Sequence, residues 1–304
     1  MRLLAEDASL LETEETRVFY KTISGQQDSI ASWIDSNIES IREEFCVKKN
    51  SEIGILVRGG VSGLVIKSAL ETKHRYLASH PLEEHFSLWA RLFCQLLSYR
   101  FDTTITAQEI AEQASVSLAK PALKSLKTTI RQLRVVGQEK LVEPMIAVAE
   151  TLIPNARSDD AVNLLIDSLA GDLQSFFSPA KDDEIQIMSL HKSKGLEFNV
   201  VFHLDLYEWV LPAKRPGENN DFDNPVYPSS EQDAKLHYVG ITRARNACFL
   251  CTSTRRVSRD YKTGSLVSRN GSPSEFFQIH DLNELREISP YLSLIHISEP
   301  TRPY

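Results

Sequence analysis

The sequence predicts an α/β protein: a parallel-sheet domain made from two separated stretches of chain and interrupted by an all-helical insertion of about a hundred residues, a usual domain size. Three observations predict it. Strand-like apolar runs alternate with helical patterns over 16–75 and again from 184. Between 82 and 178 only helical periodicity occurs. An apolar fraction of 42% over 304 residues, with 25% charged, supplies enough core for two folded bodies.

The elements follow in order. TRVFYKT (16–22) alternates as a strand does, and QDSIASWIDSNIESIREEF sets Ile30, Trp33, Ile34, Ile38 and Ile41 at helical spacing. EIGILVRGG (52–60) is a buried strand running into a glycine turn, followed by SGLVIKSALE as a helix. Strand, helix, strand, helix marks a parallel sheet. The pattern stops near 75. Phe86, Trp89, Ala90, Phe93 and Leu97 then make one apolar stripe; Thr106 or Thr104 can cap the next helix, Pro121 opens another, and 160–177 supplies a fourth. Strands resume with EIQIMSL and NVVFHLDL, and a helix over 230–246 leads into the strand ACFLCTS. The Pro-, Asn- and Gly-rich stretch 212–230 is a long loop. The expected boundaries are 1–75 and 182–290 for the sheet domain and 76–181 for the insertion. The tail 291–304, containing SLIHISEPTRPY, continues no pattern, resembles the translation of a sequencing adapter and is set aside as an artefact.

Charge and cysteine usage narrow the function. A net charge of −7 argues against a body coated in positive charge, although a basic groove can sit on an acidic protein. Residues 1–44 carry ten acids against four bases, which makes that end a poor nucleic-acid surface. The four cysteines are too few and scattered for a disulfide scaffold. Cys248 and Cys251 have CxxC spacing, but on a strand they point to opposite faces and lack a second ligand pair, so no metal site is expected. With no signal peptide and no apolar run near the ~20 residues needed to span a bilayer, the chain reads as cytoplasmic and not membrane-bound.

Two clusters carry chemistry. IQIMSLHKSKGLEF (185–198) ends a buried strand in Ser189, His191, Lys192 and Lys194, with Gly195 and Glu197 following. Hydroxyl, imidazole and ammonium groups at the carboxyl edge of a parallel sheet suit a nucleic-acid backbone, although a solvated turn would look the same. Glu197 cannot hold phosphate and needs another partner, such as a ribose hydroxyl. The second cluster, EQDAKLHYVGITRARNACFL (231–250), sends Leu236 and Val239 inward and gathers Thr242, Arg243 and Arg245 near a helix end, where arginines also serve as dipole partners. Arg58 ends the strand 52–57.

In the insertion, KPALKSLKTTIRQLRVV spaces Lys120, Lys124, Lys127, Arg131 and Arg134 at 4, 3, 4, 3, on one helical face, with no acid from 117 to 138. The face is either solvated, with lysine stems covering apolar surface, or a contact for duplex phosphates, chiefly through Lys124, Lys127 and Arg131.

Taken together, ILVRGG, SLHKSKGLEF and LHYVGITRAR resemble, in order, the fourth, fifth and sixth motifs in the C-terminal half of superfamily-1 DNA helicases of the UvrD/Rep type, and NGSPSEFF (270–277) is similar to that family's P-S-x-F segment. The resemblance implies a RecA-like second helicase domain with an inserted helical subdomain, ATP and Mg²⁺ as cofactors, and single-stranded DNA with a duplex junction as partner. It further implies that Arg58 and Arg243 reach the γ-phosphate as arginine fingers, that Glu197 binds the ribose, and that Ser189, His191 and Lys192 touch single-stranded DNA. Val57 stands where the family often has an aromatic, and Ala234 where a basic residue is frequent. No G-x-x-x-x-G-K-[ST] occurs, so the half that would hold the triphosphate and most of the Mg²⁺ is expected to be missing and the chain to be a truncated product, inactive alone. The alternative expectation is a non-catalytic module that binds DNA or a partner such as a nuclease or repair protein.

Overall fold

The computed structural model describes residues 16–112, 119–260 and 263–277, with the backbone of 287–288; the tail set aside above and the acidic residues 1–15 lie outside that range. In chain order the elements are β1 (Arg17–Ile23), α1 (Asp28–Glu44), β2 (Ile53–Val57), α2 (Gly60–Ala69), β3 (His74–Leu77), then helices α3 (Pro81–Glu84), α4 (Leu88–Phe101), α5 (Ala107–Ala111), α6 (Lys120–Gln132), α7 (Val142–Leu152), α8 (Asp159–Ser168) and α9 (Leu173–Phe177). Then follow β4 (Ile185–Ser189), β5 (Phe198–His203), α10 (Ser230–Thr242), β6 (Ala244–Ser253), β7 (Arg255–Arg259), β8 (Leu266–Asn270) and β9 (Glu287–Ile288). Two compact units result: the chain up to Tyr76 together with that from Ala180 onward, and Leu77–Pro179 between them.

In the first unit the strand order is β3-β4-β2-β5-β6-β1-β9, and every pair from β4 to β9 is parallel. Parallel strands are buried on both faces, which is why these segments read as continuous apolar runs. Register places Phe19, Phe249, Phe202, Ile55 and Ile187 side by side across five strands, all fully buried. Phe249 stacks on Phe19 at 4.8 Å and on Phe202 at 5.2 Å, and Trp33 of α1 meets Phe202 edge-on. The α1 residues Ile30, Ile34, Ile38 and Ile41 join this row in one core. Side chains alternate along a strand, so His203, next to Phe202, points to the opposite face. There α10 packs on β5 and β6 through Leu236, His237 and Gly240. A Cβ on Gly240 would lie 2.5 Å from His203 Cδ2 and 2.8 Å from Leu190 Cδ2, so the glycine in YVGITRAR is a packing requirement. Val239, expected inward, is only half-buried; His237 takes the inner position.

The sheet unit gains one strand beyond the expected end of its pattern: β3 forms at 74–77. The antiparallel hairpin of β7 and β8 stands apart from the main sheet.

In the helical unit α4 is central, packing against α3, α5, α7, α8 and α9. Its Trp89, Phe93 and Leu97 are buried, and Trp89 Nε1 donates to the Ile153 carbonyl at 3.1 Å. Phe86 does not belong to this stripe. It precedes the cap residue Ser87 and is 90% exposed, because the apolar periodicity runs on past the start of the helix itself. Thr106 is the cap of α5, in a reciprocal pair with Glu109, whereas Thr104 is taken up by Asp102. The segment 160–177 forms two helices, α8 and α9, separated at Leu169–Asp172. No described helix is long and apolar enough to cross a membrane, and the described residues contain no group of three or more side chains that could hold a metal.

Candidate nucleotide and nucleic-acid edges

The parallel register defines two edges. Val57 pairs with Ser189 and Leu56 with His203, so β2, β4 and β5 end together. Arg58, Ser189, His191 and Asp205 therefore share the carboxyl edge, where open parallel sheets bind ligands. Ser189 Oγ accepts from the Lys192 amide at 3.2 Å, which ends the strand in a turn; Ser193 is buried with its hydroxyl on the Leu190 carbonyl. His191 is exposed, as a strand-binding group must be. Loss of hydration and the cations Arg58 and Lys194 push its pKa below the usual histidine value, against the pull of Asp233, so the ring is neutral at pH 7. Gly195 has φ +84, a left-handed conformation that favours glycine, and a Cβ there would meet nothing within 4 Å.

Two acids missed in the sequence organise this edge. Asp233, in the first turn of α10, is 1% exposed; its Oδ1 lies 3.5 Å from Arg58 Nη2, and its Oδ2 accepts from the Ala213 amide and Ser229 Oγ, both at 2.9 Å. Asp205 is buried at the end of β5 and accepts from four donors at the β2–α2 turn and the start of α1. The signal for Asp205 was present: a lone carboxylate inside the apolar run VVFHLDL has to be satisfied somewhere. Asp233 had no such signal, because an acid near a helix start is ordinary.

The opposite edge carries Glu197, Arg243 and Arg245. Phe198, first in β5, pairs with Ala244, first in β6, and its amide donates to the Arg243 carbonyl at 2.8 Å. Arg243 ends α10, with Nη1 on the Leu196 carbonyl at 2.9 Å and Nη2 on Thr242 Oγ1 at 3.4 Å; its Nε is buried with no hydrogen-bond partner among the described residues. Glu197 is not open to a ligand as expected: Arg245 Nε and Nη2 donate to its Oε2 at 3.0 and 2.8 Å. Both side chains are more than half exposed, so this pair contributes little stability and opens readily.

Arg58 and Arg243, both expected at the γ-phosphate, stand apart in this domain. Helix α10 starts near Arg58, through Asp233, and ends at Arg243, so the two arginines stand at opposite ends of the six-residue β5. At ~3.3 Å per residue that separation is roughly 20 Å. The loop 190–197 is the link, leaving β4 at one edge and entering β5 at the other.

In the helical unit Lys124, Lys127 and Arg131 form no ion pair among the described residues, and Leu126, Ile130 and Leu133 beside them are buried. Arg134 leaves the basic face. It lies past the end of α6, stacks on Tyr99 at 4.0 Å, and donates to the carbonyls of Tyr99, Asp102 and Ile105. The PSEFF segment is a clamp: buried Ser274 donates its hydroxyl to the Leu211 carbonyl, Glu275 pairs with Lys214 at 3.0 Å, and Phe276 stacks on His237.

Comparison with known proteins points to the same kind of protein as the motifs. Residues 108–255 match the family described as UvrD-like helicase C-terminal domain. The chain is 35% identical over 89 residues to the ATP-dependent DNA helicase Rep of Buchnera aphidicola subsp. Acyrthosiphon pisum, covering 29% of this chain and 13% of that protein. It is 41% identical over 97 residues to Rep of Buchnera aphidicola subsp. Baizongia pistaciae (32% and 12%), and 39% identical over 75 residues to the ATP-dependent DNA helicase PcrA of Bacillus subtilis (25% and 9%). The chain thus spans only about an eighth of the length of the curated relatives it matches. Motifs, parallel sheet and sequence relatives converge: residues 108–255 are similar to a UvrD-like helicase C-terminal domain, and the chain resembles the C-terminal part of Rep- and PcrA-type helicases.

Proposed function

We propose that this chain is the second motor domain of an ATP-dependent DNA helicase, with nucleotide met at the Glu197–Arg243 edge and single-stranded DNA at the Arg58–His191 edge. One observation carries the reading: a single loop, 190–197, joins the two edges, so that a change at one is felt at the other. Arg243, with an unpartnered buried Nε, suits a phosphate; that orphaned donor is what an anion would satisfy. Glu197 would turn from Arg245 to a ribose hydroxyl. Ser189, His191 and Lys192 would hold the DNA backbone, and Arg58, whose Nε is likewise unpartnered, joins them. ATP and Mg²⁺ would need a phosphate cradle that this sequence lacks, so the chain alone should not turn over ATP. A complete motor of this kind would act on DNA in the cytoplasm; a nuclease or repair partner is compatible with the reading and adds nothing to it.

Arg58→Ala and His191→Ala in a complete motor test the division of edges. Arg58→Ala should weaken single-stranded DNA binding about tenfold, the scale of one lost charge-assisted contact, with kcat for ATP nearly unchanged. The opposite split would return Arg58 to the nucleotide. His191→Ala should cut unwinding by at least about tenfold while ATP turnover stays within about threefold, because the contact it removes lies off the phosphoryl-transfer path. Normal unwinding would remove His191 from the DNA. A complete protein with no ATP turnover at all would leave the DNA-binding module.

The α6 face extends the same reading to duplex DNA. Changing Lys124, Lys127 and Arg131 together to Gln should lower the salt slope of duplex-junction binding by about 2.7, at about 0.9 per phosphate contact, without altering sequence preference. An unchanged slope leaves a solvated helix face.

A further inference from the structure

The β2–α2 turn poses a problem that its own residues do not solve. Helix α2 begins at Gly60, and the Arg58 and Gly59 amides before it lie past the end of β2, where Gly59 has no side chain to answer them. The acceptor comes from another strand. Asp205 Oδ2 takes the Arg58 and Gly59 amides at 2.8 and 3.3 Å, while Oδ1 takes Ser62 Oγ at 2.6 Å and Gln27 Nε2 at 2.9 Å. Asp205 is 1% exposed and sits at φ +64, a left-handed conformation unfavourable for a residue with a Cβ. A buried carboxylate and a strained backbone are both costly, and they persist only where the surroundings over-determine them. Here the return is a fixed origin for one side chain. With the backbone of residues 58 and 59 held by Asp205 and the guanidinium held by Asp233, Arg58 has a defined direction even before a ligand arrives.

We infer that Asp205 is a positioning residue: pinning the β2–α2 turn from the end of β5, it aims Arg58 at the carboxyl edge and thereby sets the affinity of that edge for a phosphodiester strand. The inference rests on the proposed role of Arg58 at the DNA edge. Gln27 extends the same hold, because its other amide atom, Oε1, accepts from the Val257 amide at 3.4 Å and so ties β7 to the network.

The test is a double-mutant cycle read by fluorescence anisotropy on a labelled oligothymidylate, with this chain or the complete motor. Asp205→Gly is the informative variant, since glycine adopts φ +64 without strain and only the acceptor is lost. It should weaken binding about tenfold, as Arg58→Ala does, and the double variant should be no weaker than Arg58→Ala alone. Amide hydrogen exchange at Arg58 and Gly59 should speed up at least about tenfold in Asp205→Gly, with distant core amides unchanged. Asp205→Asn keeps an acceptor oxygen for the Arg58 and Gly59 amides and can donate to Ser62 Oγ, losing only the Gln27 bond, and should restore most of both readouts. Multiplying losses in the double variant, or normal affinity despite fast exchange, would overturn the inference by showing a purely structural anchor of the turn. Unchanged affinity in Arg58→Ala alone would instead sink the DNA-edge reading. Should Asp205→Gly not fold, the cycle is run with Asp205→Ser, whose side chain is too short to hold both turn amides, under the same additivity criterion.

Discussion

In a complete motor, Arg243→Ala should lower kcat for ATP by about 10³-fold or more, the range found when a finger arginine is removed from a phosphoryl-transfer site, while DNA affinity stays within about twofold. The reasoning starts from partners. Arg243 donates only to neutral acceptors, the Leu196 carbonyl and Thr242 Oγ1, and forms no ion pair among the described residues. Its charge is therefore available to a phosphate that gains negative charge in the transition state. An interaction stronger there than in the ground state appears in kcat and not in binding. Its position at the end of α10 is set by the 2.8 Å bond between its own carbonyl and the Phe198 amide, so the side chain starts from a rigid point beside Glu197. Arg243→Lys should recover little, because a point charge does not reproduce a planar fork of donors. Steady-state ATPase at saturating DNA checks this. A loss below about tenfold would mean that the arginine serves only the dipole of its own helix.

Much of this was legible in the sequence, for a physical reason. Strands buried on both faces must be apolar throughout, so IGILV, IQIMS and FNVVFH declare themselves without an alignment, and a glycine at 240 or 195 stands out against helix and strand propensities. What stayed hidden needed the third dimension. Arg58 and Arg243 look equivalent in a linear reading because each adjoins a strand. One follows its strand and the other precedes its strand, and with parallel strands those positions become opposite edges. Glu197 and Arg245 are 48 residues apart in sequence and meet only because β5 and β6 are neighbours. Arg134 fits the basic spacing of α6 yet stacks on Tyr99, because the helix stops at Gln132 and periodicity does not report its own end. Asp205 was visible as an anomaly, but its four donors come from segments as much as 178 residues away.

The histidine pair beneath α10 should make stability fall as pH drops from about 6.5 to about 4. His203 is fully buried, with Nδ1 3.0 Å from the Leu204 carbonyl and Nε2 3.1 Å from His237 Nδ1. A carbonyl only accepts, so His203 Nδ1 carries the proton, Nε2 is the acceptor, and His237 Nδ1 donates to it. Protonating His203 would break its bond to His237 or force that ring into its other tautomer, and burial alone already pushes its pKa down to about 4 from 6.5. Gly240 and Leu190 pack against His203, and the Phe276 ring stacks on His237. Proton uptake sets the sign. Above pH 6.5 both folded and unfolded states hold a neutral ring and the site contributes nothing. Below it the unfolded chain binds a proton that the folded chain refuses, so the unfolded state is favoured by about 1.4 kcal/mol per pH unit, approaching about 3 kcal/mol near pH 4. His203→Gln keeps a donor and an acceptor but no titration. Urea unfolding at pH 7, 6 and 5 should therefore show wild type losing its advantage over His203→Gln by about 1.4 kcal/mol per unit below 6.5, the carboxylates being common to both. Parallel pH curves for the two proteins would mean that His203 is protonated and accommodated in the fold. A falling difference would mean that acid loosens the helix on which Arg243 stands.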